Sequence, residues 1–123
     1  MSATEYGEQE IEQDIQAKGL TGPRITPRDL DTLITAELYH VFPGTTLTVC
    51  CLILENGYAV TGQSPAASAE NFDEEIGRKI ARAGAREKIW PLEGYLLREI
   101  SKNMIKVSEF GLEIKQKELV IED

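Results

Sequence analysis

The chain is poor in the residues that most often do chemistry. Its 123 residues hold one histidine, two cysteines and one tryptophan. The two cysteines, Cys50 and Cys51, are adjacent, and neighbouring residues of an extended chain point to opposite sides. They are poorly placed to bond each other and read as reduced thiols packed like small hydrophobes. Two cysteines and His40 fall short of a four-ligand zinc site. No apolar run approaches the roughly 18 residues that cross a bilayer. The stretch Met1 to Glu12 is acidic and lacks the apolar core of a secretory signal. These absences point to a protein that stays in the cytoplasm and has no membrane partner.

Catalytic motifs are also missing. Gly57, Gly62 and Gly77 stand alone, so there is no phosphate loop and no dinucleotide fingerprint. Ser64 and Ser68 have no neighbours resembling a nucleophile motif, and Glu74, Glu75 and Glu93 read as solvated helix acids. His40, beside Val41 and Phe42, reads as a packing or capping residue at a helix end. The expectation is a protein that is not an enzyme and has no cofactor and no metal. Positive charge is scarce as well: 13 Lys and Arg stand against 21 Asp and Glu, for a net charge of −8. Such a chain is a poor general binder of nucleic-acid backbone, so no direct nucleic-acid contact is expected. Only residues 71–98 carry a slight basic excess.

The length suits one α+β domain with an arm and an extension. Residues 1–25 form an acidic arm. The spacing of Ile11 and Ile15 fits a short helix between Glu8 and Lys18, and the composition equally fits a mobile segment. Thr26-Pro27-Arg28-Asp29 reads as a capped helix start. Leu30, Leu33, Ile34, Leu38 and Val41 extend the helical spacing, predicting a helix to about His40, ended by Pro43-Gly44. Thr45 to Leu54 has strand composition, with Leu47, Val49, Cys51 and Ile53 on one face. Asn56-Gly57 predicts a two-residue type I′ turn, with Tyr58 to Gly62 as the returning strand. Both faces are apolar, so the hairpin is expected to be covered on both sides or joined by other strands.

Gln63 to Ala69 reads as a loop. A long helix then starts near Asn71-Phe72-Asp73, with Phe72, Ile76, Ile80 and Ala83 as its apolar stripe and a kink or break at Pro91. Leu92, Tyr95, Leu96 and Leu97 make a broad apolar face after it, read as core or as a surface for self-association. Residues 99–123 are a C-terminal extension whose alternation, such as Ile105 with Val107, fits further strands, while partial disorder stays open.

Arg78, Arg82 and Arg86 recur every four residues and so share one face of that helix. Glu74 and Glu75 sit four before Arg78 and Lys79, but Arg82 has no acid at that spacing. A guanidinium fork suits phosphate, and the helix N-terminus at Asn71 to Asp73 offers free N–H groups. The competing reading is a solvated basic face that balances acids elsewhere or on a second subunit. Tyr58 and Phe72, both near loops, are the candidates to sandwich a nucleobase. The candidate ligand site is thus Arg78, Arg82, Arg86, Asn71, Phe72 and Tyr58.

Five runs also carry a family resemblance: Glu37-Leu38-Tyr39-His40-Val41-Phe42-Pro43, then Thr48-Val49-Cys50-Cys51-Leu52 with Asn56-Gly57-Tyr58, then Asn71 to Arg78 and Lys88-Ile89-Trp90-Pro91-Leu92-Glu93-Gly94-Tyr95-Leu96-Leu97. Over residues 26–98 the chain resembles the small phage proteins called the gp-forty-nine and gene-sixty-six family. It departs from the family in the loop before Asn71, where Ala66 and Ala69 replace a cysteine and a proline and Pro65 lies nearby. The resemblance extends to phage proteins that counter Thoeris immunity by sequestering a cyclic ADP-ribose signal made by a host TIR enzyme. It implies a phage-encoded accessory protein of the host cytoplasm. Such a protein would be a homo-oligomer that binds a nucleotide signal, cyclic ADP-ribose-like or a cyclic oligonucleotide, without catalysis. A shared fold does not fix function. The alternatives are an acidic inhibitor that docks on a host protein, including by nucleic-acid mimicry, and a minor structural or assembly protein.

Overall fold

A computed structural model of the protein describes residues 3–110, with side chains over 7–103. Helix α1 spans Ala3–Ala17, so the arm takes the helical option. Helix α2 spans only Pro27–Leu33. Its start is as the residues predict: Thr26 Oγ1 accepts from the Asp29 N–H (3.2 Å), Asp29 Oδ2 accepts from the Thr26 N–H (2.8 Å), and Pro27 opens the first turn. Its end is not. Strand β1, Ile34–Val41, replaces the rest of the helix expected up to His40. The apolar spacing there fits both periods, and Thr35, Tyr39 and Val41 favour a pleated surface. What decides is pairing: β1 supplies the neighbour that the apolar hairpin needs.

Strands β2, Leu47–Leu54, and β3, Ala59–Pro65, form that hairpin, and the antiparallel sheet runs in the order β1-β2-β3. The returning strand therefore takes in Gln63 to Pro65, three residues expected in a loop. The turn is also not type I′. Gly57 has φ +86°, but Asn56 stays at negative φ. The Leu54 carbonyl accepts from the Gly57 N–H (2.9 Å), and the Leu54 N–H donates to Tyr58 O (2.8 Å). This is a three-residue loop, a type I turn followed by a left-handed glycine. Asn56 contributes through its side chain, whose Oδ1 accepts from the Tyr58 N–H (3.0 Å).

After a single 3-10 turn at Ala69–Asn71 come α3, Glu74–Glu87, and α4, Ile89–Phe110. The break falls at Lys88, whose N–H closes on Ala85 O, not at Pro91 itself. Pro91 lies in the first turn of α4, where its missing N–H leaves no bond unmade. Residues 99–110 are helical, not strand; the remainder of the expected C-terminal strands, 111–123, lies outside the described residues.

The core lies between α3 and the inner face of the sheet: Leu30, Cys50, Leu52, Leu54, Val60, Ala81, Ala85 and Ile89 are buried. The expected stripe of Ile76 and Ile80 is not what faces it. Ile76 is 56% exposed, and the buried face is Gly77, Ala81 and Ala85. Small residues win because the helix presses onto the sheet backbone. A Cβ at Gly62 of β3 would collide with the Ala81 carbonyl oxygen and the Ala85 nitrogen. The outer face of β2, with Val49, Cys51 and Ile53, is only half-buried, since β1 and β3 flank it but nothing described covers it. Cys50 is buried and Cys51 half-buried, each reduced and on opposite faces as read from sequence. Burial pushes the Cys50 thiol up.

Candidate ligand face on helix α3

The N-terminus of α3 is set by Asp73, whose carboxylate accepts from the Ile76 N–H (2.9 Å). Glu74 and Glu75 fill the first turn. The helix therefore begins after Asn71 and Phe72, and its positive end is already met by acids. Asn71 closes the preceding 3-10 turn by donating its N–H to Ser68 Oγ (3.3 Å). Phe72 is half-buried against the first turns of α3, near Gly77.

Tyr58 is exposed at the hairpin loop. It sits at the start of β3, while Phe72 follows the end of that strand. Seven strand residues separate them, about 20 Å at 3.3 Å per residue. Within one protomer the two rings cannot sandwich one base. His40, placed by β1 instead of a helix end, is exposed and meets Phe42 edge-to-face at 4.6 Å.

The three arginines do share one line along α3, but each has a different environment. Arg78 is the most exposed. It bonds Glu74 at 3.2 Å and lies 5.3 Å from the ring centroid of Tyr39. Arg82 donates from Nε to Glu37 Oε2 at 3.0 Å. Among the described residues its two terminal nitrogens have no hydrogen-bond partner. Tyr39 donates its hydroxyl to the other Glu37 oxygen at 2.8 Å. The Tyr39 bond, with help from Arg82, holds the Glu37 carboxyl below its usual value despite partial desolvation. Burial and the bond to Glu37 push the Tyr39 hydroxyl up.

Arg86 is the buried member, with its side chain 6% exposed. Nε donates to Asp31 (2.9 Å), NH1 to both oxygens of Glu8 (2.7 and 2.8 Å), and NH2 to Pro27 O (3.1 Å). Burial works against its charge, and the bonds to Asp31 and Glu8 outweigh burial, so it stays protonated. Arg86 is thus a structural strut, and only Arg78 and Arg82 face solvent for a ligand. Beside this strut a cleft of about 600 Å³ runs between α1, α2 and α3, with Arg28, Arg82 and Arg86 facing Glu8, Glu12 and Asp31. The cleft is balanced in charge, unlike a dedicated polyanion site.

Glu37, Tyr39, Asp31 and Glu8 were not singled out from sequence. Each meets its arginine only through tertiary structure, from 39 positions away for Tyr39 and Arg78 to 78 for Glu8 and Arg86. The alternation of Glu37 and Tyr39 on one strand face is a signal that points to those two, and it is visible only once β1 is known to be a strand. Among the described residues there is no cluster of side chains able to hold a metal, and no helix is long and apolar enough to cross a membrane.

No curated protein and no solved structure matches the chain. A family model does: it covers residues 25–101, from just before α2 into α4 and without α1. By that match the chain belongs to the Phage protein (N4 Gp49/phage Sf6 gene 66) family.

Proposed function

We propose that this phage accessory protein binds and sequesters a nucleotide-type immune signal, cyclic ADP-ribose-like or a cyclic oligonucleotide, and does so without chemistry in the host cytoplasm. The observation that carries the reading is Arg82. Its Nε is held by Glu37, itself held by Tyr39, which fixes the guanidinium plane and leaves two terminal nitrogens for a phosphate. Arg78 adjoins it over the Tyr39 ring, and Phe72 offers a face at the same end of the sheet. Arg86 drops out of the ligand set, and Tyr58 enters only if supplied by a second copy. The exposed row Leu92, Tyr95, Leu96 and Ile100 on α4 is where such a copy would dock.

The test is incubation with cyclic ADP-ribose isomers and cyclic oligonucleotides, then heat release and chromatography. Intact ligand recovered from the protein is expected. Converted ligand would make it an enzyme, and no capture of any of them ends the reading.

The same α4 row favours a second reading, an inhibitor that docks on a host protein. A host protein retained on wild-type chain but lost on Leu96→Glu, with nucleotide capture absent, would favour it.

A further inference from the structure

The cleft between α1, α2 and α3 is balanced when its charges are counted and unbalanced when its hydrogen bonds are. Its three acids are already engaged. Glu8 and Asp31 both bind Arg86, and Glu8 also accepts from the Trp90 indole N–H (2.8 Å). Glu12 takes both terminal nitrogens of Arg24, NH2 at 2.9 Å. The cations left over in the lining are Arg28 and Arg82. Arg28 is exposed in the first turn of α2, and no carboxylate among the described residues holds it. Arg82 commits only its Nε, to Glu37.

Helix α1 adds Gln9 and Gln13 to the lining, four residues apart and so on one face of the helix. Both are exposed, and among the described residues neither side chain has a hydrogen-bond partner. A ligand that satisfies this lining needs an anion for the guanidinium groups and neutral polar groups for the amides. The two arginines come from different helices. A tetrahedral phosphate offers oxygens to donors arriving from several directions, where a planar carboxylate offers two in one plane. The amides, each able to donate and accept, suit the hydroxyls and base edge of a nucleoside. The acids set an upper limit on charge: three carboxylates border the same space, so a triphosphate chain would face like charge. The volume, about 600 Å³, lies within the roughly 300–1,000 Å³ of small-molecule sites.

We propose that this cleft takes a nucleoside monophosphate unit, free or as part of a larger molecule, with the phosphate between Arg28 and Arg82 and the nucleoside against Gln9 and Gln13 of α1. The inference rests on the sequestration reading in so far as both use Arg82, and it moves the body of the ligand from the open face of α3 into the cleft. The family match begins at residue 25, so the amides belong to this chain's arm and the guanidinium groups to the family domain. Glu8 serves as a positioning residue: its bonds to Arg86 and Trp90 lock α1 in place and so hold its neighbour Gln9, and Gln13 one turn on, at the cleft.

The test titrates the 123-residue chain with adenosine, guanosine, cytidine and uridine monophosphates and with inorganic phosphate. Binding is read by calorimetry and by the side-chain amide signals of Gln9 and Gln13 in NMR spectra. At least one monophosphate is expected to move both signals and to bind at least tenfold more tightly than inorganic phosphate. Arg28→Gln is expected to weaken it at least tenfold. Lys79→Gln, which removes the same charge from α3 outside the cleft, is expected to leave it unchanged. Four monophosphates that leave both signals still overturn the proposal, as does inorganic phosphate that binds as tightly, or equal losses in Arg28→Gln and Lys79→Gln. Cyclic ADP-ribose and cyclic oligonucleotides, run in parallel, separate the two readings. Monophosphate binding without capture of either keeps the cleft site and ends sequestration. Capture that moves neither amide signal keeps sequestration and overturns the cleft site.

Discussion

At the scale of single residues, the pairing of Glu37 with Tyr39 and Arg82 decides two outcomes. The Glu37 carboxyl is held below its ordinary 4.5 when folded. Its contribution is therefore fully present above that value and is lost as pH falls through the lowered folded value. Because Glu37 is more than a third exposed, solvent screens much of that contribution. Glu37→Gln is expected to flatten the acid limb of the stability curve between about pH 5 and pH 2, read by urea denaturation at each pH, by lowering neutral stability slightly while leaving stability in acid unchanged. A limb of unaltered slope would show that Glu37 is not held this way. The second outcome concerns Arg82. Charge reversal there would set two carboxylates face to face, so Arg82→Gln is the cleaner probe. It keeps a donor for Glu37 and removes the charge, and nucleotide capture is expected to fall at least tenfold while the melting temperature holds. Periodicity alone places Arg78, Arg82 and Arg86 on one face. It does not tell which is a strut and which is free, because the acids that sort them come from α1, α2 and β1.

At the scale of elements, the residues that mark ends were easier to read than those that set type. Thr26, Pro27 and Asp29 open α2 as expected, and Asn56-Gly57 marks a hairpin. Yet Leu38 and Val41, three apart, fit helical spacing and fall on opposite faces of a strand, and that local signal yields to the pairing demand of β2. The stripe on α3 was misassigned for a related reason: Ile76 and Ile80 are larger, but a helix lying on sheet backbone buries its smallest residues. Glycine roles follow. Gly57→Ala, forced to φ +86°, is expected to lose about 1 kcal/mol in denaturant titration, and Asp73→Ala, which removes the cap of α3, a similar amount. A loss under about 0.3 kcal/mol in either would mean that the turn or the cap relaxes into another geometry.

At the scale of the whole molecule, helices cover one side of a three-stranded sheet, and α4 runs on from Lys88 for 22 residues, about 33 Å. Tyr95 is 70% exposed, and Leu92, Leu96 and Ile100 join it along the helix. An apolar row of this length suits another protein surface. On the proposed docking of a second copy along this row, Leu96→Glu is expected to weaken association at least tenfold in sedimentation with no loss of helicity; unchanged association, or a monomeric wild type, overturns that docking. The apolar character of residues 92–97 was plain in the sequence. Whether they were core or surface was not, because that depends on α3 having already filled the inner face of the sheet.

The crossing of α3 over Gly62 has a consequence for how the chain tolerates change. What a side chain would strike there is main chain, the Ala81 carbonyl and the Ala85 nitrogen, so no substitution elsewhere can make room by shrinking. Gly57 meets open space and only asks for a positive φ, which asparagine also accepts. In a saturation library selected for folded protein, position 62 should return glycine alone, whatever second mutations accompany it, while position 57 should admit asparagine. The two glycines look alike in the sequence; one is a preference and the other an invariant of the architecture.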